Sequence, residues 1–240
     1  MTSKLKATQR FFDAYWQHER IRKLDSIGLF ARSATKKAYA LMGGLEGKRV
    51  LEVGPGEGLD LKSLSERGAQ VFGVDVSSYS LDLSRQMCSQ SSLFKMDGES
   101  LGFSGSVFDL VFSRTLLMHV DRGIFLRECV RVLKPEGKAI FIEPLKYNPL
   151  LLPYRAALSS GRFIEPDYLR PAEIEKMKHV FSSVKVWFYY FVSALGGPFA
   201  SVIPWSKVLF YPLETIDRAL LSILPPLRNL CWISVIECTK

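Results

Sequence analysis

Cysteine and histidine are scarce in this chain of 240 residues, with four of the first and three of the second. No C-x-x-C pairing occurs among Cys88, Cys129, Cys231 and Cys238, so neither a zinc site nor a disulfide framework is expected, and no metal is assigned. All four read as small buried apolar residues. The opening MTSKLKATQRFFDAYWQ lacks the apolar run of a secretory signal, which predicts a cytoplasmic location, or at most the inner face of a membrane. Repeats of solenoid length and low-complexity tracts are absent as well. Hydrophobic residues at 48% and charged residues at 23% exclude a disordered chain. The length suffices for one large core, or one core with a cap. No nucleic-acid recognition module is visible, so positive charge alone supports only nonspecific attraction to nucleic acid.

Negative charge is short at one end. Residues 1–49 hold eleven Lys or Arg against four Asp or Glu, which leaves +7 of the chain's formal +8. This basic arm suits a phosphorylated substrate or acidic headgroups, with a solvated helix face as the plainer alternative. It also carries an aromatic stripe, Phe11, Phe12, Tyr15 and Trp16, with His18 and Arg20 nearby.

What is present is a glycine signal. Val50 to Asp60 reads VLEVGPGEGLD, an apolar strand stopping near Glu52 and Val53 and turning through Gly54, Pro55, Gly56 and Gly58. Glycines there let backbone approach a ligand where a Cβ would collide. A dinucleotide fingerprint would need its third glycine at position 59, which is Leu59. Apolar runs ending at Gly or Asp alternate with helical patterns, which predicts an α/β fold with a mostly parallel sheet. The expected strands are Arg49 to Val53, Gln70 to Val74, Ser92 to Lys95, Phe108 to Ser113, Gly137 to Glu143, Ser183 to Tyr190 and Cys231 to Cys238. Helices are expected over Leu59 to Arg67, Ser78 to Gln90 and Gly123 to Leu133.

An acidic residue followed by G-x-G-x-G resembles motif I of class I S-adenosylmethionine-dependent methyltransferases, of the small-molecule, type 11 kind. The resemblance runs from about Val50 to Glu143. It implies a Rossmann-like, seven-stranded, mostly parallel sheet with an antiparallel last strand, helices on both faces, and S-adenosylmethionine as cofactor. Asp75, followed by Val76, falls where a carboxylate would take both ribose hydroxyls. Asp97, Gly98 and Glu99 resemble the family's D-x-E segment, whose aspartate meets the adenine amino group. FDLVFSRTLLMHV resembles the segment beside the methionine part of the cofactor, so Ser113 and Arg114 would line the pocket. LKPEGKAIFIEP matches the family's LKPGG entry, with Glu136 in place of glycine, read as a surface change of little consequence. Glu52 is expected to order the glycine loop, contact the cofactor, or both. Tyr15 would close over the methionine moiety from an N-terminal lid. His119 is the candidate base, with packing or helix capping as its alternative.

Beyond Glu143 the chain departs from the minimal pattern. The whole is expected to be one methyltransferase domain over 1–240, with a basic helical lid over 1–45 and cap insertions over 145–171 and 191–230. The second insertion holds Trp187 to Ser206, twenty residues without a charge. Gly196-Gly197-Pro198 and Pro204 argue against a single spanning helix. Interface docking through Trp187 to Tyr211 with the basic arm, a roof over an apolar pocket, or a dimer contact remain. Next, LETIDRALLSILPP predicts an amphipathic helix from Leu213 to Leu224, with Asp217 and Arg218 outward and Leu213, Ile216, Leu220 and Leu224 on one stripe. These features predict methyl transfer to a small or lipid-linked amphiphile, at oxygen by preference. The alternatives are a membrane-docked partner that binds S-adenosylmethionine without turnover and, less favoured, an RNA methyltransferase. No oligomeric state is assigned.

Overall fold

The computed structural model describes residues 3–18, 32–159, 166–196 and 206–240. Expectations resting on Arg20, Gly197, Pro198 and Pro204 lie outside them, as does the middle of the two proposed insertions. Strands β1 (Arg49–Val53), β2 (Gln70–Asp75), β3 (Ser92–Lys95), β4 (Phe108–Arg114), β5 (Leu133–Pro144), β6 (Ser183–Tyr189) and β7 (Ile233–Thr239) form one sheet in the order β3-β2-β1-β4-β5-β7-β6. β1 through β5 are mutually parallel, and β7 runs antiparallel to both β5 and β6. The expected mixed sheet is therefore present.

Each inner strand is apolar on both faces because helices cover both. α2 (Arg32–Met42) and α3 (Leu59–Glu66) bring Ala34, Ala38, Leu61 and Leu64 against Val50, Leu110, Phe112 and Ile140. On the opposite face α5 (Arg122–Val132) brings Phe125, Leu126 and Cys129 against Leu51, Val111 and Phe141. The two sets alternate along β1 and β4, as a pleat with period two requires. α1 (Ser3–His18) and α4 (Ser78–Met87) stand at the β2 end of the sheet, while α6 (Leu152–Ser159), α7 (Pro171–Lys176) and α8 (Ser206–Ile223) follow β5 and β6. All four cysteines are buried and free.

Two expectations are corrected. The strand expected from Gly137 begins at Leu133, with Lys134-Pro135-Glu136-Gly137 inside β5: Phe108 pairs with Leu133 and Leu110 with Lys138, so the residues between form a wide irregularity. Glu136 sits there at φ 60°, in the left-handed region that glycine occupies without strain. Its replacement of the usual glycine is thus a backbone matter, not an inconsequential surface change.

The last helix begins at Ser206, and its Asp217 points inward. Asp217 is 2% exposed, whereas Ile216 and Leu224 of the proposed apolar stripe are 47% and 50% exposed. The cause is the chain turn after β6, whose amides have no ladder partner. The Asp217 carboxylate accepts from the amides of Phe191 (2.9 Å), Val192 (2.7 Å) and Ser193 (3.2 Å) and from Ser193 Oγ (2.5 Å). Satisfying those donors outweighs the apolar period of the helix.

Candidate active site

Strand order reverses between β1 and β4, so a crevice opens beyond their carboxyl ends, where open α/β sheets bind ligands. The loop after β1 forms its floor. Gly54, Gly56 and Gly58 have φ of 75°, 58° and 81°, so each uses backbone that other residues rarely adopt. Gly54 N donates to Val74 O at 2.8 Å, tying the loop to β2. Gly56 O accepts from Ser80 Oγ (2.9 Å) and Ser84 Oγ (3.1 Å), tying it to α4. Pro55 O accepts from Gly58 N at 2.8 Å, closing the turn from which α3 starts.

Four strand ends place the expected acidic and polar groups around this loop. Asp75, at the end of β2 and just before Val76, accepts from Ser77 N (2.8 Å) and Ser80 Oγ (2.7 Å). Burial nevertheless holds its carboxyl above the ordinary range. Glu52 is buried under the loop and its carboxyl is raised further, first by burial and then by Asp60. One side of that carboxyl accepts from Leu61 N–H, which orders the first turn of α3; Oε2 has no hydrogen-bond partner among the described residues. After β3, Asp97 Oδ1 accepts from Glu99 N at 3.0 Å, and Gly98 packs beside Val53 and Phe125. Glu99 Oε1 accepts from Asp121 N at 2.7 Å, fastening this segment to the start of α5.

At the end of β4, Ser113 is buried and its Oγ also lacks a partner among the described residues. Arg114 is held in a fork. Its Nε and Nη2 donate to Asp60 at 2.8 and 2.9 Å, and Nη1 donates to Thr35 Oγ1 at 3.1 Å. Tyr39 OH donates to the same aspartate at 2.6 Å. The guanidinium therefore joins β4, α2 and α3, a bidentate arrangement that gives it a fixed place at the crevice. His119 N donates to Leu116 O at 2.8 Å, and its ring meets Phe12 edge-on at 5.1 Å.

α1 lies over these loops. Asp13 accepts from Ser77 Oγ (2.5 Å) and Tyr79 N (3.4 Å) at the start of α4. A Cβ built on Gly56 would stand 2.8 Å from Trp16 Cζ2, so the indole rests on the glycine itself. Tyr15, the expected covering residue, packs edge-on to Trp16 at 5.1 Å and stacks with Phe11 at 6.1 Å. Sequence reasoning thus missed the roles of Asp13, Trp16 and Asp60. Asp60 carried a signal, as an acid in the first turn of the helix leaving the glycine loop; Asp13 carried none.

The donor and acceptor set fits a cofactor with a ribose and a charged tail. The buried Glu52 carboxyl stands at the end of β1 and the half-buried Asp75 carboxyl at the end of β2, the loop between them carries glycine at 54, 56 and 58, and Glu52 Oε2 and Ser113 Oγ are polar atoms awaiting partners. Among the described residues no cluster of metal-binding side chains occurs.

Comparison with known proteins agrees. A family model described as a methyltransferase domain matches residues 51–141. Ubiquinone biosynthesis O-methyltransferases of Alkalilimnicola ehrlichii and Idiomarina loihiensis are 33% and 34% identical over 149 residues, 56% of this chain and 60% of each relative. The chain thus aligns with about three fifths of the length of those relatives. Among solved structures, a chain of the complex between the Haloferax volcanii Trm112 methyltransferase activator and a methyltransferase superposes with a TM-score of 0.68 at 20% identity, covering 95% of this chain and 97% of that one. Geranyl diphosphate C-methyltransferase from Streptomyces coelicolor, in complex with S-adenosyl-L-homocysteine, superposes at 0.65 with 13% identity over 100% and 98%.

Proposed function

We propose that the chain is a class I S-adenosylmethionine-dependent methyltransferase that methylates an oxygen of an amphiphilic small molecule, with a prenylated phenol as the leading acceptor class. The observation that carries this reading is the crevice at the β1 and β4 ends, where a glycine cradle meets the buried Glu52 carboxyl and the half-buried Asp75 carboxyl. The named activity of the curated relatives supports oxygen as the acceptor atom.

When bound, S-adenosylmethionine supplies an electrophilic methyl group on a sulfonium. The protein's part is positioning, with proton removal added when the acceptor is a hydroxyl. Asp75 would take the ribose hydroxyls, and the Gly54–Gly58 backbone would allow close approach of the chain. Asp97 would meet the adenine edge, and Glu52 and Ser113 would offer their unsatisfied polar atoms to the charged tail. His119 would take the proton from an acceptor hydroxyl held beside the cofactor. Trp16 and Phe12 of α1 exclude water from the same space.

Membrane contact is part of the proposal. Ile216, Ile223 and Leu224 are 47%, 73% and 50% exposed along the outer side of α8 and its end, with Arg218 and Arg228 close by in sequence. Such a face suits anionic headgroups above and acyl chains below. Trp187, by contrast, lies in β6, packs on the side of the sheet that α2 covers and carries Lys37 Nζ 4.2 Å above its ring, so docking falls to α8. Among the described residues no helix is long and apolar enough to cross a membrane.

Calorimetry with S-adenosylhomocysteine on the parent and Asp75→Ala, followed by labelled methyl transfer to prenylated catechols, tests the reading. Parent binding that Asp75→Ala loses, with transfer, is the expected result; no binding by the parent overturns it. Binding without transfer to any acceptor supports a non-catalytic partner instead. Sedimentation with anionic vesicles tests the α8 face, and no pelleting removes that part.

A further inference from the structure

Glu143, the last residue but one of β5, carries a carboxyl that solvent does not reach. Oε1 accepts from Leu116 N at 2.9 Å and Leu117 N at 3.1 Å, and Oε2 has no hydrogen-bond partner among the described residues. Both amides belong to the turn that leaves β4, entered through Thr115 at φ 53°. That turn touches the site on two sides. Leu116 Cδ1 lies 3.2 Å from where a Cβ on Gly54 would stand, against the glycine loop. Leu116 O, on the other side, accepts from the amide of His119, whose ring meets Phe12 of the overlying helix.

An apolar residue would fill this place at lower cost than a buried acid if packing were all that mattered. The acid does something an apolar side chain does not: it grips two consecutive amides of a strained turn. We infer that Glu143 is a positioning residue for methyl transfer, holding the Leu116–His119 turn at a set height between the glycine loop and α1. The inference rests on the methyltransferase reading above. In-line displacement is steeply sensitive to placement, since a shift of about 1 Å costs on the order of 100-fold in rate.

Several charged groups bear on the carboxyl. Burial pushes it up to about 8, while Arg122 of α5 and Arg114 of β4 favour its ionised form less strongly. Arg114 is engaged by Asp60, and Arg122 by Glu173, Asp167 and Leu117 O. His119 stands on the gripped turn itself. Ser234 Oγ of β7 donates to the Glu143 carbonyl and not to its carboxyl.

Two variants separate positioning from stability. Glu143→Leu removes the acceptor, and Glu143→Gln keeps one oxygen for both amides but cannot ionise. The first readout needs no cofactor and no turnover. In the purified protein the amide proton shifts of Leu116 and Leu117 are expected to titrate between pH 7 and 9, and to stay flat in Glu143→Gln. The second is kinetic. Glu143→Leu is expected to lose about 100-fold in kcat, with S-adenosylhomocysteine affinity within about threefold of the parent, given that no cofactor atom is assigned to Glu143. Glu143→Gln is expected to recover most of that loss. Flat amide shifts in the parent, or a Glu143→Leu variant that turns over like the parent while only melting earlier, overturn the inference. Absence of any methyl transfer in the parent would count against the function proposed above, and the shift titration would still decide the grip.

Discussion

Replacing Gly56 or Gly58 by alanine separates a glycine kept for a ligand from a glycine kept for the fold. Both have positive φ, 58° and 81°, so both alanine variants carry the left-handed penalty of about 1–2 kcal/mol. Part of that is offset by roughly 0.5 kcal/mol from the stiffer unfolded chain. The surroundings then differ. A Cβ on Gly58 would lie 2.8 Å from Ser84 Cα and 3.2 Å from Ser84 O, backbone that cannot yield without moving α4. Overpacking of that kind adds about 1–3 kcal/mol. On Gly56 the nearest atoms are Trp16 Cζ2 at 2.8 Å and Cη2 at 2.9 Å, the far end of a side chain on the covering helix. Gly58→Ala should therefore lose about 2–4 kcal/mol and Gly56→Ala about 1 kcal/mol, by urea melts followed in the far ultraviolet. Calorimetry with S-adenosylhomocysteine should show the reverse ranking among folded protein, with Gly56→Ala at least about tenfold weaker because its new Cβ displaces the Trp16 indole that covers the glycine loop. Equal destabilisation by the two substitutions, or undiminished affinity in Gly56→Ala, refutes the reasoning.

Other outcomes follow from single residues. Glu136→Gly should raise stability by about 0.5–1 kcal/mol, since glycine relieves φ 60° at a modest entropic cost; a lower melting temperature would contradict it. Asp217→Ala leaves three amides and the Ser193 hydroxyl without their acceptor, and should cost about 3 kcal/mol in denaturant melts. Glu143 has its folded pKa raised above that of the unfolded chain, so its proton stabilises the fold fully below about pH 4.5 and that contribution fades as pH rises to about 8. Over that window stability should fall by up to about 1.4 kcal/mol per pH unit from this group, a slope that Glu143→Gln lacks.

Much of the fold was legible because its determinants are local. Apolar runs such as RVLEV and AIFIEP can only be inner strands of a covered sheet, and the spacing of Gly54, Gly56 and Gly58 marks the turn from strand to helix. The antiparallel end came from resemblance to a known family rather than from any residue pattern, and the strand order came from the structure alone. Asp75 and Asp97 could be named because they follow predicted strand ends and match the motifs of the family that the chain resembles, which needs no knowledge of side-chain contacts. The contacts themselves were not legible. Asp217 reads outward on a helical wheel, yet three amides of a distant turn draw it inward. Trp16 rather than Tyr15 rests on Gly56, because one residue along a helix turns the side chain by about 100° and only docking sets which one faces the loop.

The glycine cradle and its strand-end acids are thus properties of the sequence alone, since φ preference and the exclusion of a Cβ act within a few residues. What covers the cradle, and which groups hold the turn beside it, was decided by tertiary structure. Asp13 reaching Ser77, Arg114 gripping Asp60 and Glu143 gripping Leu116 and Leu117 join residues 64, 54, 27 and 26 positions apart in the chain. Hydrogen-bond demand from buried amides and hydroxyls selects such partners only after the sheet has brought them together.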